Sequence, residues 1–555
     1  MKNSQFSSKL RWIAVLLSTV LLATALSSCA TPFDAFSPKP KLLVFLVVDG
    51  LPERQIADYR DQLAPDGLAR FLERGAWYTN ANYGYSFTVT GAGHATVLTG
   101  AYPHRSGIIA NEWRDAQTGA LEYCTADTGA SYIGNTTKPL DGTSPKNLKV
   151  ESVGDVLKHA DARSKVISIS GKDRGAILPA GKTGIAYMYM SQSGQFASST
   201  FYMKEHPTWV NAFNDRKMAD TYFKTQWSPL LPEEAYARSV PDNQPWFLIK
   251  GAKLPMLLGK PEAKAPDASF YSSLLRSPVV DAMSLQFARA AIAAEALGQD
   301  DAPDILAISL SGHDYVNHAF SAESRISHDH LLQLDRMLQA FFADLDKTVG
   351  KDNYIVTLTA DHGFMPAPEV STQRGLDAGR INGSQALSRF NTALESRFGP
   401  GKWVSLSGAS LLLNKALLAE KKIDANDMAE AARAHMKSEP GFAVAFTRKE
   451  LLSGSQSGAP YFDAMRKSFH PDVSGDLQFI LKPNWMFTSS TAVATHGSPY
   501  AYDTNVPILA WGPRWVKPGR VDSAVEVADI APTVSRWLGV KAPAASEGKL
   551  LPLPN

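Results

Sequence analysis

Six carboxylate and imidazole side chains lie next to apolar runs of the sequence and have the chemistry of metal ligands. They are Asp49, Asp314, His318, Asp361, His362 and His496. Mixed aspartate and histidine ligands suit Zn²⁺, and a catalytic zinc keeps a position open for water or substrate. Six ligands are too many for one tetrahedral ion but nearly right for two. Because two ions about 3.5–4 Å apart can clamp the attacking and leaving oxygens of a phosphoryl displacement, the set predicts a two-zinc site for phosphoryl transfer.

The spacing within this set is compatible with shared ions. Asp314 and His318 are four residues apart, so one helical turn brings both onto one face. Asp361 and His362 are adjacent and would point to opposite faces of a strand. Gly363 follows them and indicates that the strand has ended in a turn, where both side chains can reach one ion.

The other histidines and the second cysteine carry no such pattern. His328 and His330 have the spacing of solvated helix positions. His94 and His313 could contact ligands from behind, but purely structural roles are the simpler interpretation. Cys124 has no second sulfur nearby and is interpreted as a half-buried thiol without a catalytic role.

Thr90 is the candidate nucleophile. Residues 88–100 have the pattern of a strand end that turns into a helix at Gly91. A hydroxyl at that junction would lie beside the free N–H groups of the helix N-terminus, which favour an anion. A threonine hydroxyl is a weak nucleophile until a metal or a base activates it, and coordination to zinc would meet that need. From this segment alone, a role as N-cap explains Thr90 equally well.

The elements that must position these groups alternate between strands and helices. Unbroken apolar runs predict buried strands of a mostly parallel sheet at 42–48, 165–170, 305–310, 354–359 and 506–511. Helical patterns occur at 65–74, 152–160, 322–349 and 525–538. This alternation predicts an α/β sandwich with helices on both faces of the sheet. Since ligands of open α/β sheets bind at the carboxyl ends of strands, the candidate residues fall where this fold places a site.

Two long stretches interrupt the alternation. Residues 190–300 are rich in aromatic side chains and proline, and residues 366–490 contain short helical and strand patterns. We interpret both as insertions that cover or shape the site, with a separately folded domain as the alternative. The aromatic-rich stretch is expected to line the leaving-group side.

Composition and charge exclude several classes of protein. The chain has 555 residues, of which 44% are hydrophobic and 20% charged, so it is not disordered, collagen-like or a coiled coil. The formal net charge of +2 leaves no basic footprint, and no nucleic acid is expected as a specific partner. A monomer or weak oligomer is expected.

The N-terminal segment predicts export. Basic residues precede an apolar run over 12–26, and residues 1–28 have the pattern of a signal peptide. Leu26-Ser27-Ser28-Cys29 resembles a bacterial lipobox, which predicts a lipid anchor at Cys29, a tether over 29–40 and a periplasmic or outer-membrane location. Plain signal cleavage with release of a soluble protein is the alternative.

Seven segments together resemble the alkaline phosphatase superfamily, and within it the threonine-nucleophile bacterial alkaline phosphatases of the phosphate-irrepressible type. They run in family order from about 42 to 515, within a catalytic domain expected over 41–545: Val47–Gly50, Thr90–His94, Gly107–Trp113, Gly171–Arg174, Asp314–His318, Asp361–Gly363 and Thr495–Gly497. The resemblance implies a zinc-dependent hydrolase of phosphate monoesters that releases inorganic phosphate.

The resemblance also implies a role for each site residue. One zinc would be held by Asp314, His318 and His496, and the other by Asp49, Asp361, His362 and the Thr90 oxygen. Thr90 would form a covalent phosphothreonine, and Asn111 would hydrogen-bond a phosphoryl oxygen. Lys172 and Arg174 would hold the opposite oxygens.

Lys172 and Arg174 bear on the choice between substrate classes. A phosphate monoester presents one more charged oxygen than a diester, and cationic donors aimed at that oxygen stabilise the transition state. In the family, this pair marks the monoesterases. A phosphodiesterase or nucleotide pyrophosphatase of the same superfamily is the first alternative, in which the pair would be loop charges. A surface lipoprotein that binds zinc or phosphate without catalysis is the second.

Two positions depart from the family pattern, and one family motif is missing. Asn317 stands where relatives often have glycine, and His313 where threonine is common; both could alter hydrogen bonds behind the ligands and so the metal affinity. The motif that sulfatases need for formylglycine is absent at the Thr90 position, which argues against a sulfatase.

Overall fold

The computed structural model describes residues 38–115 and 118–554. The strands, in chain order, are β1 (Leu42–Val48), β2 (Ala76–Asn82), β3 (Glu112–Arg114), β4 (Leu121–Tyr123), β5 (Val166–Ser170), β6 (Ile185–Met190), β7 (Gln195–Ala197), β8 (Gln226–Trp227), β9 (Met256–Leu257), β10 (Asp304–Leu310), β11 (Tyr354–Thr359), β12 (Gly379–Ile381), β13 (Val404–Ser407), β14 (Ser410–Leu413), β15 (Phe442–Thr447), β16 (Leu477–Leu481), β17 (Trp485–Phe487), β18 (Asn505–Trp511), β19 (Gly519–Val521) and β20 (Val525–Glu526).

The α-helices, in chain order, are α1 (Glu53–Tyr59), α2 (Ala69–Arg74), α3 (Thr90–Thr99), α4 (Pro103–Ser106), α5 (Val153–Ala160), α6 (Asp173–Ala180), α7 (Thr208–Asp215), α8 (Ala268–Ser273), α9 (Val279–Ala294), α10 (Gly312–Phe320), α11 (Arg325–Leu345), α12 (Pro368–Gln373), α13 (Gly383–Phe398), α14 (Lys415–Lys421), α15 (Ala425–Met436), α16 (Arg448–Ser453), α17 (Phe462–Ser468), α18 (Ala501–Thr504) and α19 (Ile530–Leu538). Short 3₁₀ turns lie between some of them, and a π turn (Asp346–Gly350) follows α11.

A ten-stranded sheet forms the centre of the fold, in the order β19-β2-β18-β11-β1-β10-β5-β6-β7, with β20 beside β2. The five strands from β11 to β6 run parallel, while β18 is antiparallel to both of its neighbours. Every residue of β1 is buried. Because successive side chains point to opposite faces, an unbroken buried run requires that both faces of the sheet are covered. The predicted α/β class with a mostly parallel sheet is confirmed.

Two of the predicted helices begin four or five residues later than their sequence patterns suggested. Residues 64–68 form a turn before α2, because the Asp335 carboxylate accepts hydrogen bonds from the N–H groups of Ala64 and Leu68. Val525 and Glu526 pair with the end of β2 as a strand, so α19 begins only at Ile530. In both places a tertiary hydrogen bond outcompetes the local helical pattern.

The two irregular stretches differ in how they pack. The aromatic side chains of residues 190–300, such as Phe196 and Phe287, belong to the same hydrophobic core as the central sheet. Within residues 366–490, an antiparallel sheet (β13-β14-β16-β15) packs with α13 and α15 around a core of its own, which includes Phe390 and Trp403. The second stretch is therefore the one that adds a distinct layer to the molecule; it is called the insert below.

The predicted signal peptide and Cys29 lie outside the described residues, as does most of the predicted tether. Across the ranges that are described, none of the helices combines the length and the apolar character that a membrane crossing requires.

Candidate active site

Three strands of the sheet deliver the carboxylates of the site. Asp49 directly follows β1, Asp361 follows β11, and Asp314 lies in the first turn of α10, just after β10. Since β1 pairs in parallel with both β10 and β11, the three strands end at the same edge of the sheet. The predicted convergence of these side chains is what the structure shows.

Asp49, Asp361 and His362 form the first group of ligands, which we call the closed group. Their ligand atoms all lie within 4.8 Å of one another, and all three side chains are fully buried. His362 Nε2 is 3.3 Å from Asp361 Oδ2 and 3.6 Å from Asp49 Oδ1. The Gly50 N–H donates to Asp361 Oδ1 at 3.0 Å, which leaves Asp361 Oδ2 for another partner.

Asp314, His318 and His496 form the second group, which we call the open group. The Nε2 atoms of His318 and His496 are 3.4 and 3.7 Å from Asp314 Oδ1. The side chain of His318 is 23% exposed, so this group reaches solvent. His362 also lies within 4.8 Å of the ligand atoms of Asp314 and His496, and its ring stacks on that of His496 with a centroid distance of 3.4 Å. His362 is therefore within reach of both groups, whereas the family resemblance implied only the closed one.

The three histidine rings are oriented by backbone carbonyls. The Nδ1 atoms of His318, His362 and His496 each lie 2.9 Å from a carbonyl oxygen, those of Ala494, Gly363 and Thr88. A carbonyl can only accept, so each Nδ1 carries the proton and each Nε2 presents its lone pair. Burial also lowers the pKa of His362 and of His496, which favours neutral rings. This is the arrangement in which histidine binds a metal.

The carboxylates carry more negative charge than their protein partners neutralise. Within the described residues, both oxygens of Asp49, Oδ1 of Asp314 and Oδ2 of Asp361 are buried and accept no hydrogen bond, although Asp49 Oδ2 forms an ion pair with Lys172. Burial, together with the charge of Asp361, raises the pKa of Asp49 well above its ordinary value. Burial opposes ionisation of Asp314 as well, but the charges of His318 and Lys172 hold its pKa well below the ordinary value. Unpartnered buried oxygens beside neutral imidazoles fit divalent cations such as Zn²⁺.

Thr90 lies where the first helix after β2 begins. It is the first residue of α3, and Val89 rather than Thr90 occupies the N-cap position. The helix thus begins one residue before the predicted Gly91. Thr90 Oγ1 is 3.4 Å from His362 Nε2, so the hydroxyl borders the closed group. A side chain at Gly93 would collide with the Asp361 backbone, which explains why a glycine allows α3 to approach the ligands so closely.

Asn111 and Lys172 border the same space. Asn111 Oδ1 accepts a hydrogen bond of 2.7 Å from the Gly91 N–H, which leaves the amide NH₂ of Asn111 for another acceptor. Lys172 Nζ lies 2.8 Å from Asp49 Oδ2 and 2.5 Å from Asp314 Oδ2, between the two groups. Burial alone would lower the pKa of Lys172, but these two carboxylates raise it above the ordinary value.

Arg174 is held by a neighbour that sequence reasoning did not single out. Its Nη1 donates to the Tyr123 hydroxyl at 3.0 Å, and that hydroxyl donates to Asp173 Oδ1 at 2.6 Å. Arg174 Nε is buried without a hydrogen-bond partner among the described residues. The guanidinium therefore keeps donors for a further anion. Only the position of Tyr123 in the fold, and no spacing in the sequence, reveals this contact.

His94 has a closer link to the site than the sequence suggested. Its Nδ1 is 2.9 Å from the Thr90 carbonyl oxygen and 3.2 Å from Asp361 Oδ2, and its Nε2 is 2.8 Å from Ser309 Oγ. The ring connects the backbone of the candidate nucleophile with a candidate ligand. The available signal was the spacing of four residues between Thr90 and His94, which places both on one face of a helix.

The prediction that His328 and His330 are solvated is wrong, since both side chains are fully buried in α11. His328 stacks on Tyr59 and lies 2.9 Å from Ser239 Oγ. His330 Nε2 is 3.5 Å from Asp281 Oδ2. Other segments cover α11 on the faces that carry these rings: both nitrogens of His328 have hydrogen-bond partners, whereas His330 contacts His313 through Nδ1. Cys124 is likewise fully rather than half buried, and burial raises the pKa of its thiol to about 12.

The two departures from the family pattern make hydrogen bonds behind the ligands. Asn317 Nδ2 donates to the Gly50 carbonyl at 3.0 Å and its Oδ1 accepts from Ser327 at 2.6 Å. His313 Nε2 is 2.8 Å from Gln55 Oε1. Both residues therefore tie α10, which carries Asp314 and His318, to neighbouring segments.

Comparison with known proteins shows which molecules this chain is similar to. The family model described as type I phosphodiesterase / nucleotide pyrophosphatase matches residues 43–499. The chain is 35% identical to alkaline phosphatase PhoV of Synechococcus elongatus, over 92% of each chain. It is 33% identical to alkaline phosphatase PafA of Elizabethkingia meningoseptica, over 92% of this chain and 94% of that one.

The fold agrees with these similarities. A crystal structure of alkaline phosphatase PafA superposes with a TM-score of 0.86 at 32% identity, covering 93% of this chain and 98% of that one. A second PafA structure carries substitutions at a threonine and an asparagine 21 positions apart, and at a lysine and an arginine two positions apart. Thr90 and Asn111, and Lys172 and Arg174, have the same spacings.

Proposed function

The chain belongs to the alkaline phosphatase superfamily and is a hydrolase of phosphate monoesters, and we propose that it is a zinc-dependent enzyme that works through a covalent phosphothreonine at Thr90. The observation that carries the proposal is the position of Lys172 Nζ, 2.8 Å from Asp49 and 2.5 Å from Asp314. This position puts a buried cation between the two ligand groups. A phosphoryl group that contacts both ligand groups would have to lie in the same place.

Thr90 attacks phosphorus in this proposal. As the first residue of α3, it lies at the positive end of a ten-residue helix, which favours the negative charge of a phosphoryl group. The hydroxyl is 3.4 Å from His362 Nε2, on the side of the closed group. The new bond joins Thr90 Oγ to phosphorus and the bond to the leaving-group oxygen breaks. Water then cleaves the phosphothreonine and releases inorganic phosphate.

Asn111, Lys172 and Arg174 hold the phosphoryl oxygens. An ammonium group has three N–H donors; Lys172 donates one to Asp314 and forms an ion pair with Asp49, which leaves a donor for a phosphoryl oxygen. The Asn111 amide is fixed by its bond from Gly91 and presents its NH₂. Arg174, held through Tyr123, adds further donors in one plane. Fixed donors of this kind stabilise the charge that spreads over the oxygens in the transition state.

Two zinc ions per chain are proposed as the cofactors, one in each group. Asp49, Asp361 and His362, with Thr90 at the edge, would hold one, and Asp314, His318 and His496 the other. When bound, zinc acts as a Lewis acid, neutralising charge on oxygen and making a hydroxyl nucleophilic at neutral pH. The unpartnered oxygens of the three aspartates and the Nε2 lone pairs support this assignment.

A phosphodiesterase is the second candidate, because the matching family model is described by diesterase and pyrophosphatase activities. The two candidates differ at Lys172. For a monoesterase, Lys172→Ala removes a donor to the extra charged oxygen and lowers monoester turnover more than diester turnover. For a diesterase, the same substitution spares diester turnover, and monoester turnover is negligible already in the wild type.

Steady-state turnover of p-nitrophenyl phosphate and bis-p-nitrophenyl phosphate by the zinc-loaded protein at alkaline pH tests the proposal. A large monoester preference that Thr90→Ala abolishes supports it. A diester preference moves the chain to the second candidate. Absence of turnover of both, with zinc bound, would contradict the enzymatic role and favour a binding protein.

Export with a lipid anchor at Cys29 is a further part of the proposal. It rests on the basic start, the apolar run and the Leu26-Ser27-Ser28-Cys29 segment of the sequence. Labelling with radioactive palmitate tests it. Wild type should incorporate label into a membrane-associated protein and Cys29→Ala should not, whereas equal labelling would overturn the assignment.

A further inference from the structure

An apolar cleft opens beside the open group. Its volume is about 400 Å³, and His318 and His496 form part of its wall. Volumes of this size are typical of small-molecule sites. Residues 190–300, which the sequence led us to expect on the leaving-group side, are not among the residues that line this cleft. The walls come instead from the insert and the adjoining segment up to Asp503, together with Phe87 and Met365 of the catalytic core.

Phe87 forms the wall on the side of the catalytic core. Its ring lies between two glycines: a Cβ added at Gly497 would be 3.2 Å from the ring, and one added at Gly408 would be 3.4 Å from it. Gly497 directly follows the candidate ligand His496, and Gly408 lies in the turn between β13 and β14 of the insert. The two glycines thus leave room for a flat aromatic wall next to the ligands.

Strand β17 contributes Trp485, Met486 and Phe487 to the lining of the cleft. Trp485 Nε1 donates to Asp377 Oδ1 at 3.1 Å, which holds the indole. The Phe487 ring packs edge-to-face on two phenylalanines of the insert core, with centroid distances of 6.2 Å. Both rings are half-buried and line the cleft. This part of the lining is therefore apolar and is held in place by its neighbours.

The cleft borders the open group, whereas the candidate nucleophile borders the closed group. Thr90 lies beside His362 of the closed group. In a phosphoryl transfer the attacking and leaving oxygens are roughly in line, on opposite sides of phosphorus. If attack comes from the closed group, the leaving oxygen departs toward the open group, whose His318 and His496 are in the cleft wall.

We propose that this cleft binds the leaving group of the substrate, so that the enzyme selects phosphate monoesters of aromatic or other bulky apolar alcohols. The inference rests on the proposed phosphatase activity and adds a substrate class to it. A lining of aromatic side chains excludes water from an aromatic leaving group and gains little from a small polyol, which loses hydration without gaining hydrogen bonds.

Substitution of Phe487 tests the proposal. Phe487→Ala should lower kcat/KM for 1-naphthyl phosphate about tenfold and that for glycerol 2-phosphate less than about twofold, because it removes contacts only to an apolar leaving group. Comparing each substrate between variant and wild type cancels the difference in leaving-group reactivity. Thr491→Phe, an exposed position on the cleft wall, should block the naphthyl substrate selectively by filling the cleft. Equal losses for both substrates in both variants would overturn the assignment.

Phe201→Ala is the matched control, since Phe201 is a 43% exposed phenylalanine that does not line the cleft. It should change neither value. Binding of benzylphosphonate and methylphosphonate, measured by calorimetry, separates the cleft from the chemistry. Wild type should prefer benzylphosphonate about tenfold and Phe487→Ala should lose that preference.

The binding and turnover results distinguish the two failures. Turnover of both monoesters without any preference for benzylphosphonate would contradict the cleft assignment alone. Preference for benzylphosphonate without turnover of either ester would contradict the proposed phosphatase and leave an apolar anion-binding cleft.

Discussion

The two ligand groups both lie within reach of His362 but differ in their access to solvent. In the closed group, Asp49, Asp361 and His362 are fully buried, and Thr90 is nearly so. In the open group, the His318 side chain is 23% exposed and borders an apolar cleft. A buried group holds the nucleophile in one position and excludes competing water, whereas an open group must admit leaving groups of different shapes. The difference suggests that the residues at the edge of the central sheet carry out the chemistry and that the insert determines which leaving groups are accepted.

Loss of the nucleophile should have the largest effect. Thr90→Ala removes the oxygen that forms the covalent bond, so kcat for p-nitrophenyl phosphate should fall by at least about 10³-fold. Thr99→Ala is the matched control, because Thr99 is a buried threonine of the same helix whose hydroxyl donates to the Ala95 carbonyl and accepts from the Ala101 N–H, away from the ligands. Near-normal turnover by Thr90→Ala would refute a role for the closed group in nucleophile positioning.

Removal of the shared histidine should affect both groups. Because His362 is within reach of both sets of ligands, His362→Ala should leave less than about one zinc per chain after dialysis, whereas His318→Ala should keep about one. Elemental analysis of the purified variants measures this. If His318→Ala loses as much zinc as His362→Ala, the closed group does not bind its ion independently.

His94 should matter to the closed group only. Its ring contacts the Thr90 carbonyl and Asp361, so His94→Ala should weaken zinc binding about 10–100-fold, the range seen for residues that orient ligands. Competition with a chelator measures the affinity, and the kcat/KM ratio of naphthyl to glycerol phosphate should stay unchanged. The exposed His159 supplies the control substitution. A changed substrate ratio would contradict the assignment of chemistry to the closed group and of substrate selectivity to the cleft.

Asp281 should influence how stability depends on pH. Of the residues substituted in these experiments, it should have the smallest effect on turnover. It accepts a hydrogen bond from the Gly312 N–H at the start of α10, and burial raises its pKa from 3.8 to about 7. The neighbouring His330 is held neutral by burial, which lowers its pKa, and Lys172 is the cation whose charge reaches Asp281. A pKa that is higher in the folded state contributes stability that is fully present below the unfolded value and is lost as the pH rises through 7.

Asp281→Asn keeps an acceptor for Gly312 and removes this titration. The melting temperature of the wild type should therefore fall relative to that of Asp281→Asn between pH 5 and pH 8, by an amount equivalent to a few kcal/mol, since one pKa unit corresponds to about 1.4 kcal/mol. Chelator-treated samples of both proteins keep metal release from contributing. Parallel melting curves across this range would show that Asp281 does not titrate there.

The sequence predicted the sheet edge well because local patterns determine it. Runs such as Leu42–Val48 are apolar at every position only when a strand is covered on both faces, and Asp49 and Asp361 directly follow such runs. The resemblance to the alkaline phosphatase superfamily also implied roles for Asn111 beside Thr90 and for Lys172 and Arg174. None of these inferences needed knowledge of contacts between distant segments.

Each feature that sequence reasoning missed depends on contacts between segments that are distant in the sequence. His328 and His330 looked solvated because their cover comes from other parts of the chain. The cleft wall comes from β17, although the aromatic-rich stretch before residue 300 seemed the better candidate. His362 lies within reach of both groups because its ring stacks on that of His496. These two histidines are 134 positions apart in the sequence.

The stereochemical course at phosphorus tests the central claim most directly. Transfer of an isotopically chiral phosphoryl group from phenyl phosphate to an alcohol acceptor reports how many in-line displacements occur. Two displacements, first by Thr90 and then by the acceptor, predict overall retention of configuration. Overall inversion would mean a single direct displacement and would contradict a covalent phosphothreonine.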